Sequence, residues 1–171
     1  MNTCGKPDIL LLCDRTSGYE SATGELLGGP IGEVFNRILQ APGVELIRER
    51  FLLVSVFDGP LVRNRLPRIR DLQKRRDVVS AQVREAGAIA VIGFGEAFRA
   101  VLPDTYELAQ GVWAEWEAIP IFATLHPREA LWAEGNRSTR GANLTNKKRI
   151  MYEHWQAISA RLSTVNGGPI E

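Results

Sequence analysis

Hydrophobic positions along the chain fall into four short continuous apolar runs separated by longer amphipathic segments. The runs "DILLLC" (8–13), "FLLVSVF" (51–57), "AIAVIGF" (88–94) and "IPIFATL" (119–125) lack the alternation of a half-exposed strand, and predict strands buried on both faces. Between them, "GPIGEVFNRILQA" (29–41) places Ile31, Phe35, Ile38 and Leu39 on one helical face behind an opening Gly-Pro. The segment 67–87 repeats Ile69, Leu72, Val79 and Val83 and stops at Gly87, which predicts one helix with a glycine C-cap. "GEAFRAVLP" (95–103) predicts a short helix and 145–162 a long one, with a loop over 128–144.

Strands alternating with helices imply a parallel sheet with right-handed crossovers and helices on both faces. The expected fold class is therefore α/β, a three-layer sandwich around a central four-stranded parallel sheet. In such a sheet ligands bind at the carboxyl ends of the strands. That rule puts Asp14, Ser55, Gly93 and His126 on one rim, because each stands at or near a strand end.

Length and composition narrow the class. At 171 residues and 44% hydrophobic content, one domain over 1–171 is expected, with a sizeable core. No apolar run approaches bilayer length, and 1–6 lacks the charged and apolar regions of a signal peptide, so a soluble, cytoplasmic protein with no membrane partner is expected. Cys4 and Cys13 are too few for a disulfide framework or, with two histidines, for a zinc site. No P-loop or nucleophile elbow occurs, and "GFGEAF" is only a partial glycine fingerprint, so no metal or cofactor is expected.

The net charge of +1 conceals local imbalance. Residues 61–76 carry seven basic side chains against Asp71 alone, and 137–149 adds Arg137, Arg140, Lys147, Lys148 and Arg149 with no acid. Such patches suit phosphate backbones, although a solvated helix face accounts for either one taken alone.

Five pieces follow one another in order: an acid after the first strand, "TGELLGGPIG" (23–32), "NRLP" (64–67) after the second, a glycine at the end of the third, and "HP" (126–127) after the fourth. In this order and spacing, residues 8–132 resemble the uracil-DNA glycosylase superfamily, most closely its iron–sulfur branch. The resemblance places Asp14 at the motif acid and Thr23, Gly24, Gly29 and Gly32 in the pocket loop. Asn64, Arg65 and Pro67 fall on N-R-x-P, and His126 and Pro127 open the last motif.

What the resemblance implies is a DNA glycosylase that flips a base from the stack and hydrolyses its N-glycosidic bond. His126 would donate a hydrogen bond to the oxygen of the departing base, and Asp14 would orient water or stabilise the sugar cation. Arg63, Asn64, Arg65, Arg128, Arg137 and Arg140 would contact single- or double-stranded DNA. A monomer associated with the nucleoid is the matching expectation.

Departures from the family pattern bear on the substrate. Leu27 stands where the family has a base-stacking aromatic, Ser55 where it has the asparagine that reads the pyrimidine edge, and Arg128 follows the H-P pair. The branch's four cluster cysteines are absent. Thr23, Gly24, Leu27 and Ser55 thus form the expected base pocket, with uracil, hypoxanthine, xanthine or a 5-substituted uracil as candidate bases. Two alternatives stay open: a non-catalytic nucleic-acid or nucleotide-binding module of the same fold, and a hydrolase acting on free nucleosides or nucleotides. Asp14 and Ser55 also have plain structural readings, as a turn cap and as a serine bonding its own backbone.

Overall fold

The computed structural model of the chain describes residues 7–13, 23–57, 68–95, 101, 109–135 and 141–165. They belong to two compact units, one formed by Met1–Gly29 with Glu49–Thr124 and the other by Pro30–Arg48 with Leu125–Glu171.

The first unit is built on a sheet. Strands β1 (Ile9–Cys13), β2 (Phe51–Ser55), β3 (Ala90–Phe94), β4 (Trp113–Trp116) and β5 (Ile119–Thr124) run in the order β2-β1-β3-β5-β4. β1 pairs in parallel with β2 on one side and β3 on the other, β3 pairs in parallel with β5, and β4 pairs antiparallel with β5. The fold is therefore α/β with a mixed five-stranded sheet, which corrects the expectation of four strands. The unforeseen strand is β4 at one edge. It is joined to β5 by the two-residue turn Glu117-Ala118, both with positive φ, the geometry of a type I′ hairpin.

Uninterrupted apolar runs became central strands because both sheet faces are covered. Leu10, Leu12, Val91, Ile121 and Ala123 join one buried cluster, while Ile9, Leu11, Ile92 and Phe122 on the opposite face are equally buried. Each such leucine or isoleucine contributes about 1.5–3 kcal/mol by leaving water. β2 departs from the expectation of burial on both faces: it is an edge strand paired only with β1 among the described residues, and Leu52 is 43% exposed. The expected helix over 67–87 is two, interrupted at Lys74-Arg75: in chain order the helices so far are α1 (Gly29–Leu39), α2 (Ile69–Gln73) and α3 (Arg76–Ala86). The break falls where basic residues crowd, with Arg70 and Lys74 a like-charged i,i+4 pair. Val79 and Val83, one turn apart, seat α3 on the cluster around Leu10 and Leu12, and Gly87 ends the helix at φ +60° as the sequence predicts.

The second unit is helical: α1, then α4 (Arg128–Gly135) and α5 (Gly141–Val165). α4 and the first turn of α5 replace much of the loop expected over 128–144. Phe35 on α1 meets Trp155 on α5 edge to face, with ring centroids 5.5 Å apart. Met151, Trp155, Ile158 and Leu162 recur at helical spacing and are all buried. The loop after α1 is strapped to α5 by two hydroxyls: Tyr152 donates to the carbonyl of Pro42, and Ser159 Oγ donates to that of Val44 at 2.5 Å. A Lys147–Glu129 ion pair of 2.8 Å links α5 to α4. Among the described residues no helix is long and apolar enough to cross a membrane.

Candidate active-site elements

The strand order defines where a site can form in the first unit. The chain runs outward from β1 to β2 and then returns past β1 to β3, so the topological switch lies at the carboxyl ends of β1 and β3, where open α/β sheets bind ligands. Cys13 ends β1 as a buried thiol, and Ser55 is its registered partner at the end of β2. The amide of Val56 donates to the carbonyl of Cys13 at 2.8 Å and carries the ladder one step further.

Ser55 uses its hydroxyl locally. Its Oγ donates to the carbonyl of Phe57 at 2.8 Å, so toward a ligand it offers only acceptor lone pairs. The loop at 23–29 bends through three left-handed residues, Gly24 (φ +73°), Leu27 (φ +50°) and Gly29 (φ +60°). Glycine takes this conformation without penalty, and around Gly24 there is open space. Leu27 does not: an L side chain there costs about 1–2 kcal/mol, yet the residue is completely buried. A buried leucine held in a strained backbone is over-determined by its surroundings, a pattern that concentrates at functional sites. Thr23 is exposed, and its Oγ1 accepts a long bond of 3.4 Å from the amide of Glu25.

In the second unit His126 is 2% exposed and Arg128 9% exposed. β5 ends at Thr124, and α4 begins two residues beyond His126. The His126 carbonyl accepts from the amide of Glu129 at 2.9 Å, closing the first turn. Its ring Nδ1 accepts from the amide of Arg128 at 3.1 Å. With Nδ1 occupied as an acceptor, the neutral imidazole carries its proton on Nε2. His126 thus caps α4 with its side chain, and the same hydrogen bond fixes the tautomer of its ring.

The structure thus brings Thr23, Gly24 and Leu27 into one loop, registers Ser55 with Cys13, and joins His126 to Arg128. Asp14, Arg63, Asn64, Arg65, Arg137 and Arg140 lie outside the described residues. Helix α4 was missed from the sequence, and with it the capping role of His126. The signal was present in Pro127 beside the helix start and Glu129 in the first turn. Of the tryptophans, Trp116 is fully buried and Trp113 packs against Phe122 with ring centroids 5.1 Å apart, so both serve the sheet. Among the described residues no three His, Cys, Asp or Glu side chains cluster as a metal site.

Compared with known proteins, the sequence matches no family model and no curated protein.

Proposed function

We propose that this chain is a DNA glycosylase-like hydrolase that cleaves the N-glycosidic bond of a damaged or modified base. The observation that carries the proposal is the hydrogen bond from the Arg128 amide to His126 Nδ1, which leaves the ring proton on Nε2. Breaking the bond between sugar and base sends the electron pair to the base, and the charge spreads to its oxygens. A buried, preoriented N–H donor stabilises that charge in the transition state. Water adds to the anomeric carbon and gives up its proton to Asp14; the departing base anion takes a proton from solvent and Asp14 returns its own to solvent, so the products are the free base and an abasic sugar.

The finer fold belongs to the same proposal: a three-layer, glycosylase-like domain whose parallel part runs β2-β1-β3-β5. The 23–29 loop and Ser55 shape the base pocket, and Arg63, Asn64, Arg65, Arg137 and Arg140 track the phosphates. Without an aromatic at Leu27 or an amide at Ser55, the pocket favours a base larger than uracil or one modified from it, including hypoxanthine, xanthine and 5-substituted uracils. The test is a panel of labelled single- and double-stranded oligonucleotides carrying these bases, treated with alkali after incubation. Strand scission at one base, with intact DNA elsewhere, supports the proposal.

One observation favours a second reading, a nucleic-acid-binding module without turnover. The Ser55 hydroxyl is spent on the Phe57 carbonyl, which removes a donor from the base-reading position. Salt-dependent binding of the oligonucleotides with no scission at any base would select it.

A further inference from the structure

The helical unit contains a groove of about 240 Å³ that the glycosylase proposal does not use. Val34, Ile38 and Ala41 come from α1 and the residues just after it, Ala130 from α4, and Met151 from α5. These positions recur at i, i+4 and i+7 on one face of the α1 segment. Tyr152 completes the wall, and its hydroxyl is already committed to the Pro42 carbonyl. Two cations also line the groove, Arg37 and Lys148, and among the described residues no acidic side chain does.

Three features fit this groove to an amphipathic anion. First, the floor is preformed, because the two hydroxyl straps from α5 and the Lys147–Glu129 pair fix the surrounding elements to one another. Second, the carbonyls at the end of α1 are consumed by the loop that follows. The amide of Gln40 bonds to the carbonyl of Asn36, that of Ala41 to that of Ile38, and that of Leu46 to that of Leu39, which fixes the rim of the groove at Ala41. Third, the Arg37 guanidinium is only loosely held. Among the described residues its carboxylate partner is Glu33, 3.9 Å away with both side chains largely exposed, an arrangement worth little that an incoming carboxylate can replace. The unbranched Met151 side chain can adapt to the shape of an apolar body.

We infer that the groove bounded by Val34, Ile38, Ala130 and Met151, with Arg37 and Lys148 at its margin, binds a small carboxylate carrying an aromatic or branched hydrocarbon tail. The volume suits this class. An apolar cavity of about 150 Å³ accommodates one benzene ring, so the space here takes a ring with a short charged chain.

The test is titration of the full chain with 4-phenylbutyrate and, separately, its neutral counterpart 4-phenylbutanol. Binding is read from the methyl resonances of Met151, Ile38 and Val34 and from calorimetry. The expected result is saturable shifts at those methyls and affinity about fivefold higher for the carboxylate than for the alcohol. The double variant Arg37→Glu, Lys148→Glu should abolish that preference while leaving alcohol binding within about twofold of wild type. Both residues are charged surface groups, and an unchanged methyl spectrum of the unliganded variant verifies its fold. Absence of shifts at these methyls up to about 5 mM ligand would overturn the inference. So would equal affinity of wild type for the acid and the alcohol.

Discussion

The imidazole Nδ1 of His126 accepts a hydrogen bond from the main-chain amide of Arg128, 3.1 Å away. This contact selects one tautomer of a buried ring and aims its remaining N–H. Because the donor is backbone, it can be removed only by proline. Arg128 is the first residue of α4, a position where proline is well tolerated.

Arg128→Pro and Arg128→Ala both remove the guanidinium, but only the first removes the amide. We expect ¹⁵N spectra of wild type and Arg128→Ala to show His126 protonated on Nε2 alone, and Arg128→Pro to show a tautomer mixture. If the glycosylase proposal holds, Arg128→Pro loses about tenfold more activity than Arg128→Ala.

Leu27 inverts the usual ranking of alanine and glycine. Truncating this fully buried leucine to alanine should cost about 2–5 kcal/mol through lost burial and the cavity left behind. Glycine loses the same contacts but relieves the strain at φ +50°, less its own entropic penalty in the unfolded chain. Urea denaturation should find Leu27→Gly about 0.5–1 kcal/mol more stable than Leu27→Ala. The opposite order would mean that the loop relaxes once the side chain is gone.

The hairpin turn at Glu117-Ala118 depends on a neighbour from α3. Arg84 grips the Glu117 carboxylate with two bonds of 2.7 Å and lies over the Trp116 ring at 5.2 Å. The hydrogen bonds from Arg84 hold the Glu117 carboxyl below its ordinary range. A carboxyl lowered on folding contributes stability that is present above its unfolded value and is lost as pH falls through the folded one. Wild type should therefore lose an increment of stability below about pH 4.5 that Arg84→Ala lacks. Thermal melts of both proteins between about pH 3 and 6 measure the difference.

His154 titrates with the other sign. Burial lowers its pKa, opposed in part by the Glu153 carboxylate beside it. The folded protein thus resists protonation where the unfolded chain accepts it, and stability declines as pH falls through about 6.5 toward the folded value. His154→Gln should remove this decline, which melts at about pH 5 and pH 8 will reveal.

Much of the sheet was legible because strands buried on both faces write themselves as continuous apolar runs, as in "ILLLC" and "AVIGF". β4 was not legible. Its four residues "WAEW" lack such a run, and its turn uses Glu117-Ala118 where Asn or Gly would announce a hairpin. The Arg84 fork and the Trp116 contact that support this turn come from residues more than thirty positions away. The break at Lys74-Arg75 carries neither glycine nor proline, so helical periodicity ran straight across it.

Of the candidate residues, His126 was legible as a residue just past a strand end, and Ser55 as one at a strand end. Their hydrogen-bond states were not, because a ring accepting from its own chain two residues on and a hydroxyl turned toward Phe57 depend on local backbone geometry. The left-handed backbone of Leu27 was equally hidden, since nothing in leucine itself asks for it. The groove beside Met151 needed three helices to be placed at once, although Lys148, Met151 and Tyr152 already shared a face by their i, i+3 and i+4 spacing.

The measurement that bears most directly on the central claim is release of the free base itself. Under single-turnover conditions, wild type and His126→Ala would be incubated with the oligonucleotide panel and the liberated base identified by mass spectrometry. The account predicts one released base with a matching abasic site, and a rate about 10²–10³-fold lower in the variant through loss of the Nε2–H donor. Release of no base from any substrate, or equal rates for the two proteins, would contradict it.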